Sequence, residues 1–137
     1  MALQEEMKEK IFFDTSAIYA YINLKDPDHK AIKRFLGNFK GKLVITNYIF
    51  DEIITLITSR LGHKTAVFVG NVLLNSPQIE KIWVTQTDEK EAWALFSVRV
   101  DKEYSFTDCI SFIVMRKYNI KKYLALDEHF KQEGFEG

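Results

Sequence analysis

Four acidic residues, Asp14, Glu52, Asp108 and Asp127, occupy positions from which carboxylates could act together. Asp14 follows the apolar run 11–13 and Asp127 follows the run 123–126. Asp108 opens the helix that feeds this last run, and Glu52 sits one turn into the helix after the run 43–45. In an open α/β sheet the functional crevice lies outside the carboxyl ends of the strands, where strand order reverses. Asp14 and Asp127 flank that crevice if the first and last strands are neighbours, and Asp108 reaches it from a helix N-terminus. Acids gathered at one sheet edge repel one another unless cations bind among them. With one cysteine and no paired histidine motif, the ligands on offer are oxygens, which suit Mg²⁺ or Mn²⁺ rather than zinc. An ion held by Asp14, Asp108 and Asp127 could activate a water for in-line attack on a phosphodiester, and a second near Glu52 could stabilise the leaving oxygen. Thr15, Ser16 and Thr107 place small hydroxyls beside the acids, suited to hydrogen-bonding a carboxylate or a metal-bound water. Each residue also has a structural role open to it. Asp14, Asp127 and the hydroxyls could cap helices, Asp108 could pair with Ser105 in a capping box, and Glu52 could be a solvated surface residue.

The elements that must position these residues alternate in type. Short apolar runs at 11–13, 43–45, 79–84 and 123–126 read as strands. Between them the spacing predicts helices over 17–22, from Asp26-Pro27-Asp28 to an exit marked by Gly37 and Gly41, over 50–61 with Gly62 as C-cap, over 63–74, and from a cap at 87–89 to 100. Ser105 to Asp108 has capping-box spacing before a helix that is apolar on most faces, and therefore central, closed by Asn119. Only one further turn fits after His129. Strands separated by helices, with no hairpin signal, give an α/β fold: one domain spanning 1–137, a three-layer αβα sandwich around a mainly parallel sheet.

Composition narrows the class. Of the 137 residues 47% are hydrophobic, and 19 basic residues balance 19 acidic ones, as in an ordinary soluble globular chain with no global positive field for nucleic acid. Any such contact is local. Candidate basic patches are Lys25, Lys30, Lys33 and Arg34; Arg60, His63 and Lys64; and Arg116, Lys117, Lys121 and Lys122. The single cysteine, Cys109, lies in an apolar run and reads as inert core in a reduced cytoplasm. Neither a signal peptide nor a membrane span is legible.

The segments FFDTSAIYAYIN, ITNYIFDEI, SFTDCISFIVMRKYNI and LALDEHFKQEGF resemble, in order and spacing, the motif blocks of PIN-domain ribonucleases, above all the VapC-like toxins. That resemblance implies a Mg²⁺- or Mn²⁺-dependent endoribonuclease whose acidic quartet falls on Asp14, Glu52, Asp108 and Asp127, with hydroxyl partners on Ser16 and Thr107. It further implies a homodimer that cuts RNA and is silenced by a cognate antitoxin whose tail crosses the active-site groove. Ala125 departs from the pattern, standing where similar proteins often carry Thr or Ser, and the chain leaves little or no final edge strand. Asp51 adjoins Glu52, so either acid could face the site.

Three alternatives stay open on the sequence alone. One is a non-catalytic binding module on the same fold, and another is an RNA-processing nuclease without an antitoxin. The third is a phosphotransferase with Asp14 as nucleophile, although Ser16 stands where such enzymes commonly want a second aspartate. His129, two residues after Asp127, could touch a scissile phosphate but reads first as a surface helix-end residue, and His29 and His63 as surface or interface. Tyr19, Tyr21, Phe68, Val69 and Val72 are expected to form a dimer or antitoxin surface.

Overall fold

Four runs of β-branched and aromatic residues form the sheet of the computed structural model, which describes residues 8–137. They are β1 (Lys10–Phe13), β2 (Lys42–Thr46), β3 (Ile79–Ile82) and β4 (Lys122–Leu124), parallel throughout and ordered β3-β2-β1-β4. Two strands end earlier than their apolar patterns suggest, because side chains elsewhere capture the backbone. After Ile82 the N–H of Val84 donates to Asn47 Oδ1 (2.8 Å) and that of Thr85 to Asp88 (3.0 Å). After Leu124 the N–H of Leu126 donates to Ser16 Oγ (3.0 Å).

Helices α1 (Thr15–Ile22) and α2 (His29–Asn38) join β1 to β2, and α3 (Asn47–Leu61) and α4 (His63–Asn75) join β2 to β3. Helices α5 (Gln86–Val98) and α6 (Phe106–Lys117) lead back to β4, and the single turn α7 (His129–Gln132) follows. The path β1-β2-β3 steps one way across the sheet and the path to β4 returns past β1, so right-handed crossovers place α1 to α4 on one face and α5 and α6 on the other. This is the three-layer arrangement expected.

Pro27 does not open α2. Asp26 closes a turn by accepting from the N–H of Asp28 (2.8 Å, side chain) and of His29 (3.1 Å, carbonyl), and the helix starts two residues beyond the proline. Gly62 does cap α3, at a φ of 98° that a side chain would strain.

The sheet packs on α6, where Cys109, Ile110, Ser111, Phe112, Val114 and Met115 are all buried, so this helix is the central one. Phe130 on α7 is fully buried and meets Phe112 at 5.1 Å and Tyr123 at 5.0 Å, ring centre to ring centre. That aromatic cluster fixes the short α7 against the sheet. The expected contact surface is partly corrected: Val69 is core, because it faces the sheet side of α4, and Tyr19 turns into a polar groove. Tyr21, Phe68 and Val72 are exposed and line a separate apolar groove between α1, α2 and α4.

Candidate active site

Strand order reverses between β1 and β4, whose registers pair Phe13 with Leu124. The crevice anticipated from the sequence therefore opens there. Asp14 is the first residue past β1 and the N-cap of α1, its Oδ2 accepting from the N–H (3.2 Å) and hydroxyl (2.8 Å) of Ser16. The same Ser16 oxygen accepts from Leu126 N–H, so one hydroxyl ties the ends of both strands together and sets Asp127 beside Asp14.

Asp108 is the third residue of α6 and closes the capping box with Ser105: its Oδ2 accepts from Ser105 N–H (3.0 Å), and Ser105 Oγ accepts from Asp108 N–H (3.0 Å). The structural and chemical roles of these acids thus coexist. Among the described residues, every hydrogen bond to the Asp14 and Asp108 carboxylates falls on Oδ2, which leaves Oδ1 of each for another ligand.

Asp14, Thr15, Ser16, Glu52, Asp108 and Asp127 line one open groove of about 440 Å³. Of the acid pair on α3, Glu52 is the one in the groove, while Asp51 is exposed outside its lining. Thr107 does not join them. It is half-buried outside the lining, and its carbonyl accepts from Ser111 Oγ (3.0 Å).

The contact that sequence reasoning missed is the one His129 makes with Asp108. The imidazole Nδ1 lies 2.7 Å from Asp108 Oδ2 and 3.7 Å from Asp127 Oδ1. Asp127 Oδ1 accepts from the His129 N–H (3.0 Å), and Tyr104 meets the imidazole edge-on at 5.5 Å. The signal was the next residue, Phe130, whose burial turns its neighbour inward instead of leaving it on the surface.

Burial pushes the Asp14 carboxyl up to about 7, against the Ser16 hydroxyl and with the charges of Asp108 and Asp127 adding to the rise. Burial also raises Asp108, opposed by the Ser105 N–H and His129. The direction agrees with acids crowded together, but desolvation outweighs mutual repulsion.

The donor set fits a hard divalent cation. Ligand atoms of Asp108, Asp127 and His129 lie within 4.8 Å of one another, and Asp14 and Glu52 line the same groove outside that set. The four acids offer oxygens, as Mg²⁺ and Mn²⁺ prefer, and His129, whose Nδ1 braces Asp108, keeps its second ring nitrogen, Nε2. Thr15 Oγ1, buried in the same lining, has no hydrogen-bond partner among the described residues, a polar atom left for something that enters the groove.

The sequence model of the PIN domain matches residues 11–136. The chain belongs to the PIN-domain family. This PIN domain is 35% identical over 125 residues to the 23S rRNA-specific endonuclease VapC20 of Mycobacterium tuberculosis, covering 91% of this chain and 95% of that protein. It is 28% identical to the VapC ribonuclease of Archaeoglobus fulgidus over 85% of this chain and 76% of that one. The crystal structure of the M. tuberculosis VapC20, described as a sarcin-ricin loop cleaving toxin, superposes with a TM-score of 0.86 over 91% of this chain and 95% of that one. A toxin-antitoxin complex from Klebsiella pneumoniae shares the fold at 12% identity, with a TM-score of 0.61 over 86% of this PIN domain and 87% of that chain.

The third basic patch read from the sequence is largely committed to ion pairs: Arg116 with Glu133 (2.7 Å), Lys117 with Asp88 (3.1 Å) and Lys122 with Glu9 (2.9 Å). Cys109 is fully buried, and burial followed by the charge of Asp108 pushes its thiol up to about 11, so it is inert core.

Proposed function

We propose that this chain is a Mg²⁺- or Mn²⁺-dependent endoribonuclease, the toxin of a toxin-antitoxin pair. One observation carries the reading: Asp14, Asp108 and Asp127 converge at the strand-order reversal of a PIN domain, with Glu52 in the same groove. Asp14, Asp108 and Asp127 would hold the ion, with Glu52 on the α3 wall. When bound, such an ion supplies Lewis-acid activation of water and offsets the charge building on a phosphodiester.

The chain's own residues supply orientation. Ser16 fixes Asp14 and the backbone before Asp127, while Ser105 and His129 fix Asp108 from two sides. These bonds hold the carboxylates in place before substrate arrives, so little reorganisation is left for the reaction. Burial of Asp14 beside two further acids, which opposes its ionisation, supports the catalytic reading over a non-catalytic module.

The substrate class follows the relatives. VapC20 is named for 23S rRNA and its sarcin-ricin loop, and we extend a structured RNA loop to this chain as its target. An antitoxin that covers the acidic groove would silence it. The apolar groove bearing Tyr21, Phe68 and Val72 suits a second copy or the antitoxin, and the cytoplasm suits an RNA substrate and a reduced Cys109. No helix among the described residues is long and apolar enough to cross a membrane.

Stem-loop RNAs carrying the sarcin-ricin sequence or a scrambled loop, incubated with the protein and Mg²⁺, test the reading. A single cut within the intact loop sequence is expected. Equal cutting of both loops would remove the loop preference, and no cutting of either would remove the activity.

A further inference from the structure

We propose that Arg60, braced on the ring of Tyr19, holds a backbone phosphate of the RNA that flanks the phosphate presented to the acids. The inference rests on the ribonuclease reading and adds a positioning contact to it.

Glu52, Leu56 and Arg60 recur every fourth residue on α3, so one face of that helix runs along the groove and all three line it. At 1.5 Å per residue, Arg60 stands ~12 Å along the helix from Glu52. An offset of that order suits a phosphate next along the backbone from the one that faces the acids.

The groove is otherwise hostile to a polyanion: Asp14, Asp26, Glu52, Glu103, Asp108 and Asp127 all line it, and Arg60 is its one lysine or arginine. Among the described residues the Arg60 side chain nevertheless forms no ion pair with any of them and no hydrogen bond. Its guanidinium carbon instead lies 5.3 Å from the centre of the Tyr19 ring. Tyr19 is itself half-buried on α1, so the ring is a fixed platform. A guanidinium held over an aromatic face by cation–π attraction keeps its N–H donors for another partner, in a fork that matches a phosphate. The arginine is thus positioned, charged and unengaged, in a groove where every other fixed charge repels the substrate.

RNA binding and RNA cutting can be measured separately. A labelled stem-loop RNA is bound in chelator, where it stays intact, and its affinity is followed across a range of salt concentrations. The parent should show a log-log salt slope that Arg60→Ala makes shallower by ~0.7 to ~0.9, the contribution of one phosphate contact in single- or double-stranded nucleic acid. Arg60→Lys keeps the charge and loses the planar fork, so it should bind more weakly than the parent with the parent's slope. Tyr19→Leu should weaken binding where Tyr19→Phe does not, because only the latter keeps the ring. In Mg²⁺, Arg60→Ala should raise KM by more than it lowers kcat.

A parent slope retained in Arg60→Ala, with equal affinity, overturns the proposal, and so does a parent that binds no RNA. Parent protein that binds RNA with the Arg60-dependent slope but never cuts it would overturn the ribonuclease reading while leaving the contact in place.

Discussion

Replacing Asp14 with Asn should stabilise the metal-free protein. Asp14 is 4% exposed, and its carboxyl is pushed from 3.8 up to about 7 by burial, then by the charges of Asp108 and Asp127. A folded-state pKa above the unfolded one means that the native protein binds the proton more tightly. The stability this confers is full below about pH 4 and is lost progressively as pH rises to about 7. The distance from 3.8 to about 7 corresponds to ~4 kcal/mol of destabilisation by the ionised side chain above neutrality, a ceiling that solvent entering the groove lowers. Asparagine can present its oxygen where Oδ2 accepts both Ser16 bonds and turn its amide toward the remaining acids, but a buried amide carries its own desolvation cost. A net gain of ~2 kcal/mol at pH 8 is expected, or roughly 6 to 10 °C in melting temperature for a domain of this size. Thermal and denaturant unfolding in chelator between pH 4 and pH 8 should show parent and variant converging at the acid end and separating as pH rises. Added Mn²⁺ should raise the parent by more than the variant. A variant less stable than the parent at pH 8, or a gap that does not change with pH, would refute the reasoning.

Three other expectations follow from the same geometry. His129→Asn removes the imidazole that braces Asp108 while Phe130 keeps α7 docked, so Mn²⁺ affinity by calorimetry should fall ~10- to 100-fold with the fold intact, and unchanged affinity would return His129 to a surface role. Burial pushes the Glu133 carboxyl up, but Arg99 and Arg116 outweigh it and hold it below the ordinary range. That stability is present above the unfolded pKa and is lost as pH falls through the folded one, so Glu133→Gln should lose about 1 to 3 kcal/mol at pH 7 and less at pH 3, as read by urea unfolding. Cys109 should resist a maleimide in native protein and react once unfolded, and rapid labelling of the folded chain would contradict its burial.

The meeting of Asp14, Asp108 and Asp127 in one groove was legible in the sequence because these residues sit at element ends, where residue type and position are tightly linked. Asp14 and Asp108 announce themselves as caps, and their caps are what point them into the crevice. Neighbouring first and last strands had to be assumed, and the parallel pairing of β1 with β4 supplied that link. What stayed hidden depended on contacts distant in sequence. His129 turns inward because Phe130 packs on Phe112 and Tyr123, and Arg60, on the Glu52 face of α3, is held over Tyr19 of another helix. Val69 and Tyr19 were grouped with exposed neighbours because their helices are short or uniformly apolar, so periodicity could not say which face the core would cover. The early ends of β3 and β4 were equally invisible, since Asn47 and Ser16 capture backbone donors from far along the chain.

The central claim is that these carboxylates cut RNA by holding a divalent ion. Its most direct test is cleavage of one defined RNA by parent and Asp108→Asn, each in Mg²⁺ and in chelator. The parent in Mg²⁺ should cut, and the other three reactions should be slower by at least ~100-fold, the scale of losing a key electrostatic element. Cleavage by the parent that survives the chelator, or by Asp108→Asn at the parental rate, would contradict the account.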